Sequence, residues 1–358
     1  MSNPLLKIAV DAMGGDFAPM NEVQGAIMAS TLLSETTPIE IVFFGKEQEI
    51  RSALAKQTIP PTFKYSIIHT DEVITMEDDP TIVLRKKRNS SMIVGINAHK
   101  DAHVDAFISA GNTGAVMSAA TVILGRINGV SRPTIGAFFP TQQKDPCLLL
   151  DVGANVDSKP KHLVEFCIMG SIYIEQVLGI KNPKIGLMNI GEEESKGNEV
   201  AIETLALLKE SPLNFIGNVE GRDIFQGIAH LIVTDGFTGN VVLKFAESFL
   251  GTLKVAFKEY AQKNIWNKLL VGLIVAPIMK KVLKSYDYQE YGGVPLLGVN
   301  GIVIIGHGKS TPLAIQNMIL RAVEAKQKNI NDSIRTSILQ YNSSKQPSVS
   351  KDVDASIY

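Results

Sequence analysis

Cysteine is nearly missing from this sequence: Cys147 and Cys167 are the only two, and both sit inside apolar runs. That leaves no disulfide framework and no cysteine metal site, and fits buried reduced thiols. A charge excess is missing too. The formal net charge is −1, so the chain as a whole exerts no pull on nucleic acid, and an anionic partner must be met by a local patch. The opening MSNPLLKIAVDAMGG lacks the charged region and small-residue cleavage site of a secretion signal, so a cytoplasmic location is expected. No fixed-period repeat and no Pro/Gly/Ser-rich linker interrupts residues 1–340, which are expected to form one α/β catalytic domain, either undivided or as two lobes sharing a sheet. The polar stretch 341–358 is expected to be a loose tail.

What is present is a sizeable apolar fraction, 45% of 358 residues, enough to bury a large core. Short runs rich in Ile, Val, Leu and Phe alternate with helical patterns, which predicts an α/β fold with a mostly parallel open sheet and helices on both faces. Strands are expected at Lys7 to Val10, Ile39 to Phe44, Ala106 to Ser109, Cys147 to Leu150, Lys184 to Met188, Phe215 to Val219, Leu231 to Thr234 and Ile302 to Ile305. Most of them stop in polar, glycine-bearing turns: DAMGGD at Asp11, SAGNTG at Ser109, DVGAN at Asp151, NIGEEESKGN at Asn189, TDGFTGN at Thr234 and GHGKST at Gly306. Parallel sheets bind ligands beyond the carboxyl ends of their strands, so these turns are expected to face one crevice.

None of the turns carries a nucleotide signature. In DAMGGD the glycines Gly14 and Gly15 are adjacent, unlike the dinucleotide fingerprint, and GHGKST lacks the first glycine of the P-loop spacing. Anion binding without a nucleotide is what remains. Thr311 before Pro312 reads as a helix N-cap and first turn, whose backbone N–H groups suit a phosphate, with Gly308, Lys309 and Ser310 beside it. In TDGFTGN, Gly236 and Gly239 permit close backbone approach and Thr238 and Asn240 offer neutral donors.

Another segment is unusual for a different reason. Phe245, Phe249, Leu253, Ala256 and Tyr260 keep helical spacing, and LLVGLIVAPIM then runs from Leu269 to Met279 between Lys263, Lys268, Lys280, Lys281 and Lys284. The apolar run is too short to span a bilayer. Within 245–286 it reads either as an interfacial membrane segment with lysines on anionic headgroups, or as a helical hairpin buried in a dimer interface.

Taken together, AVDAMGGDFAP at Ala9, RKKRNSSM at Arg85, SAGNTGA at Ser109, DVGAN at Asp151, MNIGEEESKGNE at Met188, GNVEGRD at Gly217, TDGFTGNV at Thr234 and GVNGIVIIGHGKS at Gly298 resemble one family. It is the phosphate acyltransferases of bacterial phospholipid synthesis, which take their acyl group from acyl carrier protein. The likeness runs from about Ile8 to about Leu320. The resemblance implies a fold like that of the phosphotransacetylases and the isopropylmalate dehydrogenase group, a homodimer, and no metal or nucleotide cofactor. It also implies inorganic phosphate and acyl carrier protein as partners, and hand-off of acyl phosphate to a membrane glycerol-phosphate acyltransferase.

Attack of phosphate on a thioester calls for positioning and for fixed donors at the developing oxyanion, not for a covalent nucleophile. Lys196 is assigned to the phosphate or the oxyanion, Asn240 to the same constellation, and His307 to protonation of the departing sulfur. The competing readings are a surface lysine paired with Glu192, a helix cap and a packed loop histidine. Asn112, Thr113 and Gly114 are candidates for phosphate binding through backbone and side-chain donors. Asp11, Asp16, Asp151 and Asn155 are expected to tie loops together, since a carboxylate beside bound phosphate would repel it. The basic run Arg85, Lys86, Lys87 and Arg88 is a candidate docking site for the acidic carrier protein, or else a solvated face. The alternatives kept are a short-chain phosphotransacetylase using coenzyme A and a non-catalytic membrane scaffold. A decarboxylating dehydrogenase is disfavoured for want of a dinucleotide motif and of an ordered set of metal-binding carboxylates.

Overall fold

In a computed structural model that describes residues 5–143, 145–279 and 293–344, eleven strands form one sheet. They are β1 (Leu6–Asp11), β2 (Ile39–Gly45), β3 (Lys64–His69), β4 (Ala106–Ser109), β5 (Thr134–Phe139), β6 (Cys147–Leu150), β7 (Ile185–Met188), β8 (Phe215–Val219), β9 (Leu231–Val233), β10 (Val294–Leu297) and β11 (Val303–Ile305). The order across the sheet is β3-β2-β1-β4-β11-β10-β5-β6-β9-β7-β8. Two parallel sets result, β3-β2-β1-β4-β11 and β6-β9-β7-β8. The antiparallel pairings β11-β10, β10-β5 and β5-β6 join them. An odd number of reversals makes the two sets run in opposite directions.

Side-chain alternation along the strands builds two layers. Ala9, Phe107, Ile135, Ala137, Leu149, Ile232, Leu296 and Val303 point to one face, and their core runs across both parallel sets. The helices Ser91–Lys100 and Thr113–Ile123 pack there. On the other face each set has its own core. Ile8, Val10 and Ile108 meet the helices Met20–Leu33 and Pro312–Gln327, while Leu148, Leu150 and Leu231 meet Pro160–Tyr173 and Ile330–Ser344. The α/β architecture with helices on both faces is therefore as expected.

Several boundaries differ. The strands β3, β5 and β10 were not foreseen. β3 is an edge strand with both ends exposed and no fully buried residue, and Pro295 in β10 argues against a strand until its short antiparallel setting is known. Ile330, Ile334 and Ile338, spaced by four, bury one face of a helix that runs to Ser344, four residues past Gln340. Residues 345–358, and Lys280, Lys281 and Lys284 of the lysine-flanked segment, lie outside the described residues. Up to Met279 that segment is helical but not buried in this chain, with Trp266 77% and Leu273 73% exposed.

Candidate active site

The glycine-bearing turns gather in two groups, one for each parallel set. The first joins the ends of β1, β4 and β11. Asp11, buried at the end of β1, accepts the Ser109 hydroxyl at 2.7 Å and the Met13 N–H at 3.2 Å. The Gly306 N–H donates to the Ser109 carbonyl at 2.8 Å, and the Asp16 N–H to the Gly308 carbonyl at 2.7 Å. Gly14 is required by contact, since a Cβ there would stand 2.8 Å from the Gly111 backbone nitrogen. Beneath this turn Glu22 is buried, and desolvation, aided by the nearby Asp11 charge, pushes its carboxyl up to about 8. Burial likewise raises Asp11. At neutral pH this carboxylate pair therefore carries a proton.

His307 is exposed at the rim of this group. Its Nδ1 accepts the Lys309 N–H at 3.1 Å. That bond assigns the proton of the neutral ring to Nε2. Ser310 is buried and its carbonyl accepts from Asn21 Nδ2 at 2.9 Å.

The expectation for Asn112 needs correction. Its Oδ1 caps the helix Thr113–Ile123 by accepting the Ala115 N–H at 3.1 Å, and its Nδ2 faces the carbonyls of Thr75, Met76 and Asp78 at 3.1–3.3 Å. The side chain thus pins the 75–78 loop and has no donor left for phosphate. Lys87 is also committed, with Nζ on the Val73 carbonyl at 2.7 Å and on Asp78 at 2.5 Å. Arg85, Lys86 and Arg88 remain exposed.

The second group joins the ends of β6, β9 and β7. Asp151 accepts the N–H groups of Gly153, Ala154 and Asn155 and the Asn155 side-chain amide at 2.7–3.0 Å. Desolvation outweighs these bonds and lifts its carboxyl to about 6. The Asn155 carbonyl in turn accepts the Gly236 N–H at 2.8 Å. Gly236 starts a 27-residue helix, Gly236–Gln262. So Gly236, Thr238, Gly239 and Asn240 form a helix start rather than an open turn, and the helix begins well before Val242. The cap is Asp235, unforeseen, which accepts both the N–H and the hydroxyl of Thr238 at 2.8 Å. An Asp three positions before Thr at a helix start was the available signal. Asn240, in the next turn, is exposed and is not the cap.

At the end of β7, Asn189 accepts the Ile190 N–H at 2.8 Å and donates to the Lys196 carbonyl at 3.0 Å, which closes the NIGEEESKGN loop. Glu192 pairs with Arg222 and Glu194 with Lys209. Lys196 is exposed and makes no ion pair among the described residues, so the surface-pair reading with Glu192 is not realised.

One core ties the two groups together. The shared face holds Ala115, Val116 and Ala119 from the helix behind Asn112, and Ala154, Met188, Val242 and Leu243 from the second group pack against it. Both cysteines are buried, and burial pushes the Cys147 thiol up to about 12 and Cys167 higher still, so neither is a usable nucleophile. Among the described residues no cluster of three His, Cys, Asp or Glu side chains could hold a metal.

With this geometry in place, comparison with known proteins decides the family. A family model described as fatty acid synthesis protein matches residues 6–333. The chain belongs to that family. It is 46% identical over 330 residues to a phosphate acyltransferase of Dictyoglomus turgidum, covering 92% of this chain and 96% of the relative. It is 45% identical over 335 residues to one of Halothermothrix orenii, covering 93% and 98%. Among solved structures, a phosphotransacetylase of Staphylococcus aureus superposes with a TM-score of 0.55 at 16% identity, covering 91% of this chain and 95% of that one. A phosphotransacetylase of Streptococcus pyogenes gives 0.56 at 16%, covering 91% and 94%. At that identity the likeness establishes the fold alone.

Proposed function

We propose that this family member is an enzyme that transfers a long acyl group from acyl carrier protein to inorganic phosphate, giving acyl phosphate and free carrier protein for phospholipid synthesis. The observation that carries the reading is the second loop group. There an exposed lysine, Lys196, in the loop after β7, and an exposed amide, Asn240, on the helix that follows the neighbouring strand β9, offer side-chain donors.

In the reaction a phosphate oxygen attacks the thioester carbonyl carbon, forming the C–O bond and an oxyanion. Lys196 and Asn240 donate to phosphate and oxyanion. Collapse breaks the C–S bond; the proton given up by the attacking hydrogen phosphate neutralises the departing thiolate, and His307 donates an Nε2 hydrogen bond to that sulfur. Asp11, Asp16, Asp151 and Asn155 act on the backbone of these loops and do not touch substrate. Thr113, Gly114, Gly308, Lys309 and Ser310 complete the anion site from the first group.

The segment after Phe245 is the proposed membrane contact. No helix among the described residues is long and apolar enough to cross a membrane. Phe245, Phe249, Trp266, Leu273 and Ile278 are each more than half exposed, a patch suited to an interface. Peripheral attachment, a homodimer and delivery of acyl phosphate to a membrane glycerol-phosphate acyltransferase follow from this reading.

The test is direct. Purified protein given acyl carrier thioester and phosphate should release free carrier thiol at a rate that depends on phosphate. Thiol release without phosphate, or none at all, would refute the assignment.

A further inference from the structure

Two basic stretches border the loop groups, and they differ in how far nearby acids offset them. Asp78 and Asp79 stand beside Lys87 and Lys86 of the run Arg85–Arg88. Asp78 is bound to Lys87 at 2.5 Å. The carboxyl of Asp79 is held low chiefly by the Thr81 hydroxyl and also by the charge of Lys86. Two of the four cations are thus offset by carboxylates, which reduces the field left for a partner.

The other stretch is assembled by the fold from separate segments. Glu165, fully buried on the helix Pro160–Tyr173, accepts the Ser131 N–H and hydroxyl, each at 2.8 Å. The Pro133 carbonyl accepts the Asn155 side-chain amide at 2.7 Å. Arg132, between these anchors, is therefore held beside the Asp151 loop. Lys161 approaches Glu165 Oε1 at 3.7 Å, and the Lys159 N–H donates to His162 Nδ1 at 3.2 Å. Arg126 adds a bond to the Ser131 carbonyl. Arg126, Arg132, Lys159 and Lys161 are exposed, and His162 is partly so. The offsetting acids are Asp157, which is exposed, and Glu165, which is sealed inside. The imidazole of His162 feels this crowding: desolvation first, then Arg132, Lys159 and Lys161, keep its pKa below the usual value.

We propose that the acidic carrier protein docks on the face formed by Arg132, Lys159, Lys161 and His162, beside the Asp151 loop, rather than on Arg85–Arg88. This rests on the acyl-carrier reading above. Charges at the edge of such an encounter act on association rate and salt dependence.

The double variant R132E/K159E should raise KM for acyl carrier protein by roughly tenfold or more and weaken its salt dependence. R85E/K86E should change that KM less than about twofold. Neither should alter turnover of an acyl-pantetheine thioester, which carries no acidic protein. Unchanged carrier KM in R132E/K159E overturns the docking face, as does an equal loss with acyl-pantetheine. If the wild-type protein turns over neither thioester, the acyl-transfer reading itself fails, a result separate from either of those.

Discussion

Replacing Gly239 with alanine sets two physical effects against each other. Inside a helix, alanine is favoured over glycine by about 1 kcal/mol, so propensity alone predicts a more stable protein. The structure predicts the reverse. A Cβ on Gly239 would stand 1.9 Å from the Asp151 carbonyl oxygen, a backbone atom that cannot rotate away. Overpacking costs typically 1–3 kcal/mol, and a contact with fixed backbone belongs at the upper end, about 3 kcal/mol. The net is a loss of about 2 kcal/mol, or a few degrees in Tm. Gly251 on the same helix is the control, because a Cβ there meets nothing within 4 Å. Gly251→Ala should therefore stabilise by up to about 1 kcal/mol. Thermal unfolding of the two variants side by side reads the contrast, and kcat should fall in Gly239→Ala alone, because the helix start moves off the Asp151 loop with Asn240 on it. A Tm in Gly239→Ala equal to or above that of the parent would refute the close packing of the helix start on Asp151.

Lys196→Ala and Asn240→Ala should each lower acyl phosphate formation at least tenfold with Tm unchanged within about a degree, since both side chains are exposed; full activity in both would displace the site. Asn112→Ala should cost about 1–3 kcal/mol in denaturant unfolding, through a lost helix cap and a lost amide tie to the 75–78 loop. Glu22 holds its proton more tightly folded than unfolded, so its contribution is full below the unfolded pKa, near 4.5, and declines until pH passes about 8. Between those values Glu22 alone lowers stability by up to about 1.4 kcal/mol per pH unit, and Glu22→Gln should flatten the slope of unfolding midpoints from pH 5.5 to 8.5. Trp266 is the single tryptophan and is 77% exposed; its fluorescence should shift to the blue on anionic vesicles and not on zwitterionic ones, and an unchanged spectrum on both would remove the membrane contact.

Much of the fold was legible because parallel strands buried on both faces read as continuous apolar runs, as CLLL at Cys147 and KIGLM at Lys184 do. The strands that were missed are those whose residues give no strand pattern or argue against one. TIGAFF at Thr134 gives no periodicity that tells it from a loop, and VPLL at Val294 contains a proline. The polar turns announced themselves by composition, but the division of labour within them did not. Asn112 and Thr238 are the residue types that bind an anion and equally the types that cap helices, and only their neighbours' positions show that both are occupied as caps or by caps. The same holds for charge: RKKR stands out as a run, whereas Arg132 and Lys159 lie far apart in sequence and meet only because Ser131 is held on Glu165.

The glycine-bearing turns do not form a single row, because the sheet reverses direction between them. Three antiparallel pairings separate β11 from β6, so the carboxyl ends of the two parallel sets leave the sheet at opposite edges. Five strand steps lie between β4, which carries the Asn112 loop, and β9, which carries the Asn240 helix. At roughly 20–25° of twist per step the strands rotate by about 100–125°. Subtracted from the topological reversal of 180°, this leaves the two strand directions within roughly 55–80° of each other. At that general rate, twist offsets part of what connectivity reverses. Both loops are followed by helices packed on the shared face, Thr113–Ile123 and the start of Gly236–Gln262.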